Sequence, residues 1–304
     1  MDAGGSTSGA MSRRGALLFA AMCVIWGIPY LLIKVAVDDM SPSMLVLGRT
    51  LIAALLLLPI AAVRGELRPL LPYWAPLVAF AAIEIALPWV LLGAAETQVS
   101  SSLTGLLIAA VPLVAAVIAT SSGAERLSLT SGIGLALGVL GVAAIVGVNL
   151  EGARAVPLAE IGLVAVCYAV GPAILQRWLS GLPALGVIAA SLVLTAIVYL
   201  PFGATSVPEK TPSTAALASV VTLAIVCTAL AFLLFFALIG EVGPVRATVI
   251  TYVNPAIAAA LGVLILDERF TVGMALGFAL VLAGSVLATR HGGAPAEQPV
   301  LDPS

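Results

Sequence analysis

Charge is what this sequence has least of. Lys and Arg number 13 and Asp and Glu 15 among 304 residues, only 9% together, where a soluble domain carries about 25%. Hydrophobic residues make up 62%, and the mean hydropathy is +1.19. So few charges cannot coat a water-facing surface, which excludes a soluble domain and makes the chain an integral membrane protein. A net charge of -2 provides no basic field for nucleic acid, and neither a P-loop nor a dinucleotide Gly fingerprint is present. The single histidine, His291, stands near the C-terminus. There is no HExxH, no GxSxG and no Cys/His cluster with metal spacing, so an enzyme would lack its nucleophile, base or metal, and no cofactor is expected. Cys23, Cys167 and Cys227 lie inside apolar runs, where cysteine behaves as a small hydrophobe.

What is abundant is apolar sequence in runs of about 20 residues, the length that spans a bilayer as helix. Loop signals of charge, Pro, Gly and Ser divide the chain into helices near 15–37, 44–63, 72–95, 102–121, 131–149, 158–177, 184–202, 215–239, 247–266 and 271–289. The fold class is therefore all-α and polytopic. The first run follows Arg13 and Arg14 as a signal peptide would, but it continues to Ile33 without a small-x-small cleavage site and reads as a retained helix. Residues 1–12 (Gly/Ser-rich) and 291–304 (Pro-rich) read as disordered tails.

With a cytoplasmic N-terminus, the inner side collects Arg13, Arg14, Arg64, Arg68, Arg126, Arg177, Arg246 and Arg290. The outer side then collects Lys34, Arg154, Lys210 and Arg269, while Arg49 lies within a helix. The excess favours both termini inside the cytoplasmic membrane.

The chain also repeats itself. A shift of 143 residues places Pro255 on Pro112, Glu268 on Glu125, Arg269 on Arg126, Gly277 on Gly134, Gly284 on Gly141 and Pro172 on Pro29. Residues 13–150 and 151–290 thus read as two five-helix repeats. Because five is odd, the second copy enters the membrane from the opposite side, an inverted repeat of ten helices. The hairpins Glu125-Arg126 and Glu268-Arg269 then face opposite sides as a pair of gates. Such a repeat gives two packings of similar energy, one open to each side, which is what alternating access needs.

Several polar residues sit where lipid would penalise them. Glu84 lies near the centre of the third helix, so it should face the bundle interior. Pro88 leaves the Glu84 carbonyl without its helical donor, which gathers two oxygens suited to an ammonium or a proton. Arg49 either snorkels towards the interface or turns inward to an anion, and its counterpart is Ser191. Trp26, Tyr30 and Lys34 share a helix face, Tyr168 and Gln176 mark a polar face on the sixth helix, and Thr248 and Tyr252 share one beside Asn254. Trp26, Trp89 and Tyr252 are candidates to cover an apolar side chain. Pro29, Pro88, Pro112, Pro172 and Pro255 read as bends shaping the path, and the glycines at 134, 138, 141, 273, 277 and 284 as packing surfaces.

Trp26-Gly27 followed by Lys34, then Arg49, then Pro112…Glu125-Arg126 and Pro255…Glu268-Arg269 with Gly-spaced final helices, resembles the EamA-type transporters of the drug/metabolite transporter superfamily. The likeness covers residues 13–290. Pro29 departs from it, since such proteins more often place a small polar residue after the WG pair. The resemblance implies ten helices around a central cavity and movement of small metabolites, often export of amino acids. The resulting reading is a secondary exporter of a small metabolite such as an amino acid, whose partners are that substrate and the bilayer. Glu84, Arg49, Trp26, Tyr30, Trp89, Tyr168, Tyr252 and Asn254 are the candidate binding residues. A multidrug or organic-cation exporter and a lipid-linked sugar flippase are the alternatives.

Overall fold

The computed structural model describes residues 11–122, 128–147, 155–206, 208 and 210–289. Nine of its helices are long and apolar enough to cross a membrane: α1 (Arg13–Val37), α2 (Pro42–Val63), α3 (Arg68–Glu96), α4 (Ser101–Ser121), α5 (Leu129–Gly147), α6 (Ala155–Leu179), α7 (Ala184–Thr205), α8 (Thr214–Val242) and α10 (Val272–Thr289). The remaining one, α9 (Ile250–Leu266), has 17 residues and is preceded by a short turn of helix, Pro244–Ala247. No strand occurs among the described residues. The tails and the Glu125-Arg126 hairpin lie outside them.

Helix ends follow local chemistry. Ser12, Ser41, Ser100 and Ser213 are N-caps whose hydroxyls accept from the backbone N–H of Gly15, Met44, Leu103 and Ala216. Ser41 with Pro42 in the first turn starts α2 two residues earlier than the apolar run suggests. At the end of α9, Asp267 adopts the left-handed conformation (φ 53°) and the Glu268 N–H returns to the Gly262 carbonyl at 3.1 Å, a Schellman-type stop. This fixes where the Glu268 side chain emerges.

The prolines break the helices in different ways. Pro29 has no N–H to offer, and before it the chain turns at Trp26–Ile28, with Gly27 N–H bonding Val24 O at 3.0 Å. Pro112 opens the second half of α4, Val111–Ser121, after a break at Ala109–Ala110. Near Pro88, α3 widens into a π-helical turn over Ala81–Ala86, where the Leu87 N–H reaches back five residues to Ala82 O. A π turn over Ile225–Leu230 occupies the corresponding stretch of α8, and another, Leu175–Leu179, follows Pro172 in α6. Pro255 lies inside α9 without an equivalent widening.

The packing carries the repeat. Helices α2 and α7, α4 and α9, and α5 and α10 pair with their own counterparts, and the α3–α6 contact recurs as α8–α1. The α5–α10 pair is the tightest. A Cβ built at Gly141 would lie 2.6 Å from the Gly277 carbonyl oxygen, and one at Gly134 would lie 2.7 Å from that of Gly284. Only bare backbone allows this approach. Outward, Leu55, Leu140, Ile197 and Leu276 are each at least 60% exposed, as befits surfaces that meet hydrocarbon.

The two ends of the bundle differ. At one end the second half of α1 packs against the ends of α3 and α4, and Asp39 accepts from the Ser213 N–H at 2.9 Å. At the other, Arg14 pairs with Glu241 at 3.0 Å. There α6 makes no comparable contact with α8 and α9 among the described residues. Among the described residues, the Lys34 end is the more closely packed.

Candidate functional site

Arg49 projects from α2 into the bundle and is only 7% exposed. Its guanidinium lies flat on Trp89 of α3, 3.6 Å from the ring centroid, a desolvated cation–π contact. Its Nε–H donates to Thr228 Oγ1 at 2.9 Å, and that hydroxyl donates to Leu223 O at 2.8 Å. The second bond spans five residues, the spacing set by the π turn of α8. Thus the bulge aims Thr228 at Arg49. Of the two readings open to Arg49, snorkelling and inward orientation, the geometry is inward.

A guanidinium has five N–H donors. Thr228 is the only acceptor bonded to Arg49 among the described residues, and no carboxylate pairs with it there. Tyr168 of α6 and Tyr30 of α1, the latter 9% exposed, lie within electrostatic reach of Arg49, and Tyr168 is within reach of Glu84 as well. Glu84 sits on the π turn of α3, with Oε2 buried and without a hydrogen-bond partner. Its carboxyl packs onto Gly171 of α6, where any Cβ would collide with it. Three helices and a half of α1 therefore bring one cation, one acid, one indole and two phenols to a common interior, and α8 adds the Thr228 hydroxyl.

The other candidates lie elsewhere. Trp26 packs on Phe235 and Phe232 of α8, at centroid distances of 4.7 and 6.0 Å. The turn at Trp26–Ile28 separates it from the Tyr30 face that an uninterrupted helix would share. Asn254 is 8% exposed, and its amide nitrogen, correctly oriented, donates to Cys23 O and Ile250 O at 3.0 Å each. Gly27 bonds Val24 instead of Cys23, so Asn254 satisfies a carbonyl that the Pro29 break strips of its donor. Tyr252 is half-buried on α9 nearby.

A second polar group was not anticipated. Glu96, the last residue of α3, is fully buried, and neither carboxyl oxygen has a hydrogen-bond partner. Lys34 Nζ donates to its backbone carbonyl at 2.6 Å. Glu268, of the second gate hairpin, reaches across to the start of α4. Its Oε1 accepts from Ser101 N–H and Oγ–H at 2.8 and 2.9 Å, and Oε2 accepts from Ser102 N–H at 2.8 Å. A carboxylate on free N–H groups at a helix start is favoured by their dipoles.

The profile of the EamA-like transporter family matches residues 13–147 and again 161–290, nearly the whole chain in two copies. The chain belongs to the EamA-like transporter family. Relatives of this EamA protein agree. It is 31% identical over 252 residues to the uncharacterized inner membrane transporter YedA of Escherichia coli K12, covering 80% of this chain and 79% of that one. It is 26% identical to the uncharacterized transporter YvbV of Bacillus subtilis 168, over 90% and 91% of the two chains. At 24% identity, over 90% and 94%, it resembles an E. coli K12 protein named "Probable amino-acid metabolite efflux pump". One crystal structure superposes with a TM-score of 0.63 at 20% identity, covering 90% of this chain and 96% of the other, a likeness of fold alone. The chain is a multi-pass, all-helical membrane transporter built as a two-fold repeat.

Proposed function

We propose that this EamA protein exports a zwitterionic amino acid or a close derivative by alternating access, from the cytoplasmic membrane with both termini inside. The observation that carries the reading is the buried Arg49, a guanidinium held by Trp89 and Thr228 with no carboxylate among the described residues to neutralise it. A buried cation without a counter-charge is strongly unfavourable, so a carboxylate ligand is its natural complement. Glu84, with an unpartnered oxygen, complements the ammonium of the same ligand, and Trp89, Tyr30 and Tyr168 offer surface to its side chain. The unequal closure of the two ends supports alternating access. The name of the efflux-pump relative points the same way.

The test compares Arg49→Gln with wild type, at matched expression, in cells loaded with a dipeptide and in cells challenged with an organic cation. Loss of charge-assisted hydrogen bonds, about 1.5–3 kcal/mol, should reduce amino-acid efflux roughly 10- to 150-fold while leaving the bilayer-inserted protein intact. Intact efflux in Arg49→Gln, together with cation resistance that depends on Glu84, would replace the amino-acid reading with a multidrug-type exporter.

A further inference from the structure

The central site makes no use of Glu96, although its burial is the most complete of any carboxyl among the described residues. Among the described residues, the charged or titratable groups facing its carboxyl are Lys34 and Tyr30 from α1 and Glu268 from the α9–α10 connection. Glu160 of α6 is not one of them. Above this group opens a cavity of about 420 Å³ lined by Lys34, Asp38, Gln98, Val99, Ser100, Leu266 and Glu268. Glu96 does not line it, but Lys34 and Glu268 do, and both lie within electrostatic reach of the buried Glu96 carboxyl.

We propose that Glu96 is a proton-binding site of the transporter, and that its charge governs the clamp by which Glu268 holds the start of α4. The proposal rests on the transport reading for its purpose, but its test needs no substrate. With Glu96 protonated, its carboxyl adds no negative charge beside Glu268, which stays on Ser101 and Ser102, and Lys34 stays on the Glu96 carbonyl, the arrangement observed. When the proton leaves to water in the cavity, a second carboxylate charge appears beside Glu268 in a poorly screened interior. Lys34 turns from the backbone oxygen to the carboxylate of the same residue, and like-charge repulsion loosens Glu268 from the helix start. Proton binding from this side thus closes this end, and proton loss frees it. With this end outward, as the distribution of Lys and Arg favours, an exporter would take up a proton as it shuts behind departing substrate.

Val99 lines the cavity and is 8% exposed, so a cysteine there reports whether the end is open. In a background with Cys23, Cys167 and Cys227 replaced by alanine, Val99→Cys is labelled with an impermeant maleimide in proteoliposomes, with and without Glu96→Gln. The rate ratio of the Glu96 protein to the Glu96→Gln protein at each pH cancels the thiolate chemistry of the reporter. The ratio should be near unity at about pH 5 and rise about fivefold or more by about pH 9. A flat ratio overturns the proposal, whatever Arg49→Gln does to efflux. A rising ratio upholds it even if the amino-acid assignment fails. Should Glu96→Gln fail to insert, Lys34→Gln carries the test. Loss of the cation disfavours the charged acid, so the midpoint of labelling must move to higher pH by about one unit or more, and an unmoved midpoint overturns the proposal.

Discussion

Adding one methyl group at Gly141 is the most direct probe of how these helices are held. The new Cβ would lie 2.6 Å from Gly277 O, 2.7 Å from Val281 N and 2.8 Å from Val281 Cγ2. Two of those atoms are backbone and cannot rotate away, so α5 and α10 must separate by on the order of 0.5–1 Å, a gap that forfeits a quarter to a half of each contact's dispersion well. Overpacking of this kind costs about 1–3 kcal/mol. Gly141→Ala should therefore lose that much unfolding free energy, read from a denaturing-detergent titration in mixed micelles. Gly162→Ala on α6, with nothing within 4 Å of its Cβ, is the control, neutral or up to about 1 kcal/mol stabilising from helix propensity. Gly277→Ala added to Gly141→Ala should cost less than it does alone, because the first substitution has already parted the helices. Gly141→Ala at or above wild-type stability would refute the backbone-to-backbone contact.

Two further outcomes follow from the site and the repeat. Gly171→Ala pushes the Glu84 carboxyl off α6 and should reduce efflux at least tenfold, about 1.4 kcal/mol, with little change in folded yield; wild-type efflux would remove Glu84 from the path. Cysteines placed at Arg126 and Arg269 should react with an impermeant reagent from opposite sides of the membrane, and labelling of both from one side would contradict the inverted repeat.

The ten helices are legible because each apolar run meets a strong stop, and the repeat because its prolines and Glu-Arg pairs keep a constant spacing. The second helix starts two residues early because Ser41-Pro42 capping begins its first turn ahead of the apolar run. The direction of Arg49 is another matter. Its burial depends on Trp89 and Thr228, which arrive from α3 and α8, and on a π turn that reorients Thr228 by one residue. Spacing along one helix contains neither. Trp26 and Tyr30 share a face only if the helix is continuous, and the turn before Pro29 divides it. Glu96 escapes notice because an acid at a helix end resembles an ordinary interfacial residue. It is buried only because α1 and Glu268 fold over it.

The grip of Glu268 on α4 also bears on how evenly a duplicated machine can divide its time. Two backbone N–H groups, those of Ser101 and Ser102, receive that carboxylate. The repeat spacing places Pro244 and Val245 at the corresponding positions before α9, and proline has no N–H. A carboxylate arriving there would find two donors fewer, the N–H and the hydroxyl that Ser101 supplies to Glu268, a deficit of at least about 1.5–3 kcal/mol for hydrogen bonds to a charged group. Under the proposed alternating access, latches so mismatched would make the resting population lopsided by tenfold or more, with the Glu268 end shut. An idle transporter would then wait with its binding residues turned to the opposite compartment, and the slower half of each turnover would be the one that must release Glu268.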